Sequence, residues 1–395
     1  MSGRARRSLR RIAALGSIAS LVLVATACGN SLSSDSSSSD DEVKVGLVVP
    51  ASGVYEPLGV DMTNGFQLYL DEHDGQLGGK DVTVVKADEG EGPDTGVPAV
   101  NKVITQDQVS AVVGIVNSAT ALGVKDAVTQ AKVPLLVANA GANDLADGSP
   151  YLWRTSFTNG AIGASLGEQV AEDVAGGSVY VMAADYAAGK EFAAGFTEAF
   201  EAAGGKIAGE SYTPFGTTSD WQPYLSKAEN SGAKAVFAFY AGAEAVNFVK
   251  QYSSFGLKQK LPLYGPGFLT EGGVLAAQGA DAEGVRTSLH YSNLLETPEN
   301  QEFVAAYQKA YDAAPTVYAV QAYDAAAALD QALAGADETT GEAISEGLGG
   351  VAEIESPRGT WSFDEQHNPA QPFFLREVQA ADGGYGNAVL STLVE

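Results

Sequence analysis

Short apolar runs alternate with stretches of helical periodicity along most of the chain. Val43 to Val49, Val82 to Ala87, Ala111 to Ile115 and Pro134 to Ala138 read as strands. Runs this apolar suit strands covered on both faces of a parallel sheet. Between them, Asp61 to Glu72 and Asp94 to Gln106 carry helical spacing, and the segment after Ser118 places Leu122, Ala127, Val128 and Ala131 at near-helical intervals. A second series follows. Ala161 to Val174, Glu191 to Ala203, Trp221 to Asn230 and Glu244 to Phe255 read as helices; Val179 to Ala183, Lys206 to Tyr212, Ala235 to Tyr240 and Leu261 to Tyr264 read as strands. Past Gly284 to Tyr291 come two long helical stretches, Glu299 to Ala313 and Val317 to Ala334, and then a β-rich tail from Gly359 to Val394. Alternation of this kind predicts an α/β protein with doubly wound, mostly parallel sheets. Two series, a return and a tail predict two lobes with the chain crossing between them more than once.

Two loops concentrate small polar residues at the carboxyl ends of adjacent predicted strands: Asn117-Ser118-Ala119-Thr120 and Asn139-Ala140-Gly141-Ala142-Asn143. Open α/β sheets bind ligands at such places. The first loop also opens a helix, whose unpaired N–H groups suit an anion such as a carboxylate. These residues taken alone fit an unliganded strand–helix–strand unit equally well.

Composition narrows the function. The net charge of −26 argues against nucleic acid as a partner. One cysteine and three histidines (His73, His290, His367) exclude a disulfide framework and argue against a Cys/His metal site, so no metal and no cofactor are expected. The cysteine closes an amino-terminal signal: five arginines between Arg4 and Arg11, an apolar stretch from Ile12 to Thr26, then Ala25-Thr26-Ala27-Cys28. This resembles a bacterial lipobox, which implies removal of residues 1–27 and lipidation of Cys28. Residues 28–42 are rich in Ser and Asp and are expected to form a tether. The predicted location is the outer face of the cytoplasmic membrane, reached through a lipid anchor only.

Several motifs have blander meanings. Gly163-Ala164-Ser165-Leu166-Gly167 fits the GxSxG of hydrolases, but it lies inside a predicted helix and is expected to serve helix packing, so no catalytic residue is expected. Asp88, Glu89, Glu91 and Asp94 are expected to be solvated charge, His73 and His367 surface residues, and Trp221 a core anchor.

Taken together, the segments Gly53–Gly59, Asp94–Gln106, Val112–Thr120, Val133–Asn143, Asp185–Gly189, Val236–Leu257 and Pro315–Ala328 resemble the leucine/isoleucine/valine-binding branch of ABC-importer substrate-binding proteins. Leu263–Leu269 and Glu299–Leu329 resemble members tied to aromatic-acid uptake. The resemblance covers the chain from Val43 onward. It implies a type I periplasmic-binding fold, with lobe I at residues 43–157 plus 288–370 and lobe II at 158–287 plus 371–395. It further implies a monomer that closes on a ligand and presents it to ABC permease subunits; a ligand-sensing receptor on the same fold is the alternative. Carried over by position, the ligand-binding residues would be Tyr55, Asn117, Ser118, Ala140, Gly141, Ala142, Tyr186, Tyr240 and Phe268, with about one residue of uncertainty at Tyr240. Two positions depart from the family's amino-acid binders. The ammonium-binding threonine is Ala142, and the glutamate is Gly267. A buried ammonium without its carboxylate costs several kcal/mol, so these departures favour a carboxylate with an aromatic or hydrophobic body. A branched-chain-type amino acid stays open, with Glu271 as a displaced partner for its amine.

Overall fold

The computed structural model describes residues 42–394 with the exception of residue 382. The expected signal segment, Cys28 and all but the last residue of the expected tether lie outside the described residues. Among the described residues no helix is long and apolar enough to cross a membrane.

The first series folds as β1 (Glu42–Val49), α1 (Glu56–Glu72), β2 (Gln76–Leu77), β3 (Lys80–Asp88), α2 (Pro93–Thr105), β4 (Ala111–Gly114), α3 (Ser118–Ala131), β5 (Leu135–Val137) and β6 (Leu152–Arg154). Its strands form one sheet in the order β2-β3-β1-β4-β5-β6. All pairings are parallel except the β2–β3 hairpin. Val45, Leu47, Val112, Val113, Leu135 and Leu136 are buried, as strands with helices on both faces require.

The second series gives α4 (Asn159–Ser165), α5 (Gly167–Asp173), β7 (Ser178–Ala184), α6 (Ala187–Ala202), β8 (Lys206–Thr213), α7 (Gln222–Asn230), β9 (Ala235–Phe239), α8 (Gly242–Ser254), β10 (Leu263–Pro266), α9 (Gly273–Gln278) and β11 (Arg286–Leu289). The chain then returns to the first lobe. There α10 (Pro298–Tyr311) and α11 (Val317–Ala334) pack on α1, and α12 (Gly341–Gly349) packs on α11. Gly65 of α1 has no room for a side chain, since a Cβ would stand 2.0 Å from the Ala319 carbonyl oxygen. After the short pair β12 (Ser362–Phe363) and β13 (Pro369–Ala370), the hairpin of β14 (Phe373–Ala381) and β15 (Gly384–Val394) extends the second sheet, whose order is β15-β14-β11-β10-β9-β7-β8. Both sheets are doubly wound, so the two-lobe α/β architecture is the one observed.

Three connections join the lobes, near residues 155–158, 290–292 and 371–372. A buried polar network holds them together. Arg358 pairs with Asp324 at 2.6 Å, both side chains fully buried. The same guanidinium donates to the Thr155 carbonyl at 2.9 Å and to Gln371, whose amide donates to the Ser156 carbonyl at 2.8 Å.

Two local expectations change, for a predicted helix and for His367, while the GxSxG stretch and Trp221 pack as expected. The predicted helix from Ala161 to Val174 is broken at Leu166 into α4 and α5. The glycines of the GxSxG stretch are seats for α6: a Cβ on Gly163 would lie 2.2 Å from the Phe192 carbonyl oxygen. Ser165 Oγ is spent on Ser288 Oγ at 2.6 Å. His367 is half-buried, stacked on Trp153 with ring centres 3.6 Å apart. Trp221 is fully buried against Tyr240 and Phe248. The short elements β6, α9 and α12 carry too little periodicity to stand out in the sequence.

Candidate functional site

A cavity of about 380 Å³ lies between the lobes, at the carboxyl ends of both sheets. From lobe I it is lined by Tyr55, Asn117, Ser118, Asn139, Gly141 and Tyr318, among others; from lobe II by Tyr186, Phe192, Phe215, Phe239 and Phe268. Phe157 and Asn159 line it where the first crossing enters α4.

Its lobe I wall depends on a strained turn. Ile115, directly after β4, stands at φ 67, a left-handed conformation costly for a β-branched residue. Glu89 holds the turn from below. Its two carboxylate oxygens accept the Val116 and Asn117 N–H groups at 2.8 Å each, and the residue is 0% exposed. Burial pushes the Glu89 carboxyl up to about 7, against the N–H donors that pull it down. The expected solvated acidic loop is therefore a buttress at this residue. Asp88 likewise accepts from the Ala51 N–H at 2.7 Å and the Ser52 hydroxyl at 2.6 Å, and Glu91 from the Val54 N–H at 2.8 Å. Among the described residues no group of three or more His, Cys, Asp or Glu is placed to hold a metal.

With the turn fixed, Asn117 caps α3, its Oδ1 accepting from the Ala119 and Thr120 N–H groups at 2.9 and 3.1 Å. Ser118 stands at the first helical position, facing the cavity. Across the cleft, α6 and α8 begin at Ala187 and Gly242 with no side-chain cap. Ala187, Ala188 and Ala241 line the cavity, so first-turn N–H groups without intrahelical partners stand beside it. Three helix amino termini thus supply donors and positive potential from both lobes. No lysine or arginine lines the cavity among the described residues, and Glu91 is its one acid.

Most of the remaining wall is aromatic. Phe157 and Phe268 pack at 4.9 Å, Phe192 and Phe239 stack at 4.1 Å, and Tyr186 stacks on the half-exposed Phe215 at 4.3 Å. Tyr318 stacks on Phe268 across the lobes at 6.2 Å. Burial raises the Tyr186 and Tyr55 hydroxyls above their usual range, so both stay neutral hydroxyls.

Of the positions carried over by resemblance, Tyr55, Asn117, Ser118, Gly141, Tyr186 and Phe268 come together here. Ala140, Ala142 and Tyr240 do not line the cavity. Ala140 and Ala142 belong to a lobe I core cluster, and the Ala142 carbonyl accepts from buried Arg154 at 2.7 Å. Tyr240 is fully buried beside Trp221, on the opposite face of β9. Side chains alternate along a strand, so Phe237 and Phe239 face α6 while Val236, Ala238 and Tyr240 face the other way. Phe239 is the β9 aromatic at the cavity end. Glu271 is also spent elsewhere: it pairs with fully buried Arg376 at 3.0 Å and accepts the Val317 N–H at 3.0 Å. At Gly267 a Cβ would lie 2.4 Å from the same guanidinium. Phe157, Phe192, Phe215, Phe239, Asn159 and Tyr318 line the cavity without having stood out in the sequence, and Asn139 stood out only as part of the second polar loop. For the others, the one available signal was the strand alternation that separates Phe239 from Tyr240.

Residues 42–384 match the periplasmic binding protein family. A Leu/Ile/Val-binding protein homologue of Brucella melitensis is 32% identical over 361 residues, 89% of this chain and 92% of that protein. A solute-binding protein of an ABC transporter from R. palustris, solved in complex with benzoate, is 34% identical with a TM-score of 0.80, covering 89% of this chain and 96% of that one. Another from Rhodopseudomonas palustris BisB5, in complex with 3,4-dihydroxybenzoic acid, is 32% identical with a TM-score of 0.83, covering 90% and 98%. The two-lobe fold and the interlobe cavity define a type I solute-binding protein, and the chain belongs to the periplasmic binding protein family. Its relatives are transporter solute-binding proteins rather than enzymes.

Proposed function

We propose that this protein captures an aromatic carboxylic acid in the interlobe cavity and delivers it to an ABC permease. Delivery would be from a lipid anchor at Cys28, as a monomer. The observation that carries the ligand class is the composition of the wall: stacked aromatic rings from both lobes, donors supplied by helix termini, tyrosine hydroxyls and small polar groups, and no cation among the described residues. An aromatic ring inserted among these rings gains apolar burial and stacking, while its carboxylate meets the starts of α3, α6 and α8. Two relatives solved with benzoate and 3,4-dihydroxybenzoic acid support the same reading.

A branched-chain amino acid is the second reading, favoured by the Brucella relative. It meets a physical obstacle. An ammonium would enter a cavity whose single acid, Glu91, already accepts a backbone N–H at 2.8 Å, with Glu271 locked to Arg376. Thermal shift of the purified protein with benzoate, hydroxybenzoates, leucine and isoleucine separates the two. A ligand at a hundredfold excess over Kd stabilises by about 2.7 kcal/mol. Aromatic acids should raise the melting temperature; a shift with leucine or isoleucine alone would sink the aromatic reading. A receptor role for the same fold would show as ligand-dependent association with a membrane sensor instead of a permease.

A further inference from the structure

Resting on the aromatic-carboxylate reading, we propose that Asn139 and Asn159 set specificity within the cavity. They present two carboxamide oxygens that select an aromatic acid bearing a hydroxyl or amino substituent over the unsubstituted acid.

Both asparagines line the cavity, and both are more than nine-tenths buried, at 7% and 2% exposure. In each, one N–H of the amide is already taken up within the protein. Asn159 Nδ2 donates to Glu191 Oε2 at 2.8 Å. A carboxylate only accepts, so this contact fixes the amide orientation and turns Oδ1 the other way. There Oδ1 lies over Gly141, where a Cβ would come within 2.2 Å of it. Glycine at 141 is thus what lets the oxygen reach the cavity wall.

Asn139 is oriented through a longer relay. Its Nδ2 donates to Gln321 Oε1 at 2.9 Å, and Gln321 Nε2 lies 3.0 Å from His290 Nε2. His290 is fully buried beside Arg358 and Arg376 and is held neutral by that environment. The Gln321 orientation that hands its oxygen to Asn139 requires the His290 proton on Nδ1, which has no hydrogen-bond partner among the described residues, so that Nε2 accepts from Gln321. Gln321 is itself fully buried, with its backbone carbonyl accepting from Thr155 Oγ1 at 2.9 Å. Among the described residues no donor reaches Oδ1 of either asparagine.

A buried acceptor without a donor costs free energy. A benzoate-like ligand would displace solvent from these oxygens and give nothing back; a phenolic O–H or an aryl N–H would satisfy them. Sites built to hydrogen-bond a substrate hydroxyl reject analogues lacking it far more strongly than apolar pockets reject size changes.

The test is calorimetric binding of the purified protein to benzoate, the three hydroxybenzoates, 4-aminobenzoate, 4-methylbenzoate and 4-methoxybenzoate. At least one hydroxyl- or amino-bearing acid should bind tenfold or more tightly than benzoate, while the methyl and methoxy acids, with no donor, should not. Asn139→Leu and Asn159→Leu should each shrink that ratio. Benzoate binding as tightly as every donor-bearing acid overturns the inference while leaving the aromatic reading intact. Equal weakening of benzoate and the donor-bearing acids by Asn139→Leu also overturns it, because the amide would then be donating to the carboxylate. Binding of no aromatic acid overturns both. The wild-type ratio decides the matter even where a variant fails to fold.

Discussion

At the scale of single residues, one position of strand parity separates a residue of the cavity wall from a core residue. Tyr240 follows a strand and carries an aromatic ring, as a ligand contact would. Yet its ring lies fully buried against Trp221 with centres 4.6 Å apart, while Phe239 lines the cavity. The chemistry of the two side chains is nearly the same; the facing direction decides. Tyr240→Phe should therefore leave ligand affinity unchanged, whereas Phe239→Ala should weaken it by tenfold or more. A titration in which Tyr240→Phe is the more damaging change would contradict this placement. The same reasoning explains why Asn117 and Ser118 were legible: a polar pair between an apolar run and a helix start has few other uses. Glu271 was not legible in that way. Nothing in the local sequence reveals that its carboxylate is taken by Arg376, more than a hundred residues away.

At the scale of elements, the turn from β4 into α3 is the part under tension. Ile115 at φ 67 is tolerated because Glu89, at the end of β3, accepts the next two backbone N–H groups. This ties stability to pH. The Glu89 carboxyl is raised by burial from 4.5 to about 7, so the folded chain holds its proton more tightly than the unfolded chain. Stability from this group is fully present below pH 4.5 and declines as pH rises through the window to about 7. The loss amounts to at most roughly 3 kcal/mol. Asp61, raised by burial from 3.8 to about 6, contributes with the same sign over a lower window. Glu89→Gln should flatten the melting-temperature profile between pH 5 and 7; a slope equal to that of the wild type would refute the assignment. Element types and most of their boundaries followed from periodicity, because repeated burial of one face leaves a periodic trace. The break at Leu166, between two segments that both pack on α6, left none.

At the scale of the whole molecule, the lobes are joined by three thin crossings and by contacts that bridge the cleft. Glu271 of lobe II accepts the first N–H of α11 in lobe I at 3.0 Å, and Tyr318 stacks on Phe268. A ligand bound among such contacts favours the closed arrangement only through interactions that opening would break. The crossings depend on Arg358, which pairs with Asp324 and reaches the Thr155 carbonyl. Removing one partner of a buried pair costs about 3–5 kcal/mol, whereas replacing both with apolar residues is often close to neutral. Arg358→Met should thus lower stability by that order, and adding Asp324→Leu should recover much of it. Chemical denaturation of the two variants checks this; a double variant as unstable as the single one would mean that Arg358 acts mainly through the crossing carbonyl.

The sequence by itself determined the alternation of strands and helices, the return of the chain to its first lobe, and the polar loop at Asn117-Ser118. These are local patterns, written into neighbouring residues by the faces they bury and the caps they need. Only the tertiary structure decided the composition of the cavity. Its aromatic lining comes from places as distant as Tyr55 and Tyr318, and the two asparagine oxygens are aimed by Glu191 and Gln321. A ligand meets side chains brought together across two lobes, and nothing in the order of residues along the chain records which of them will share a wall.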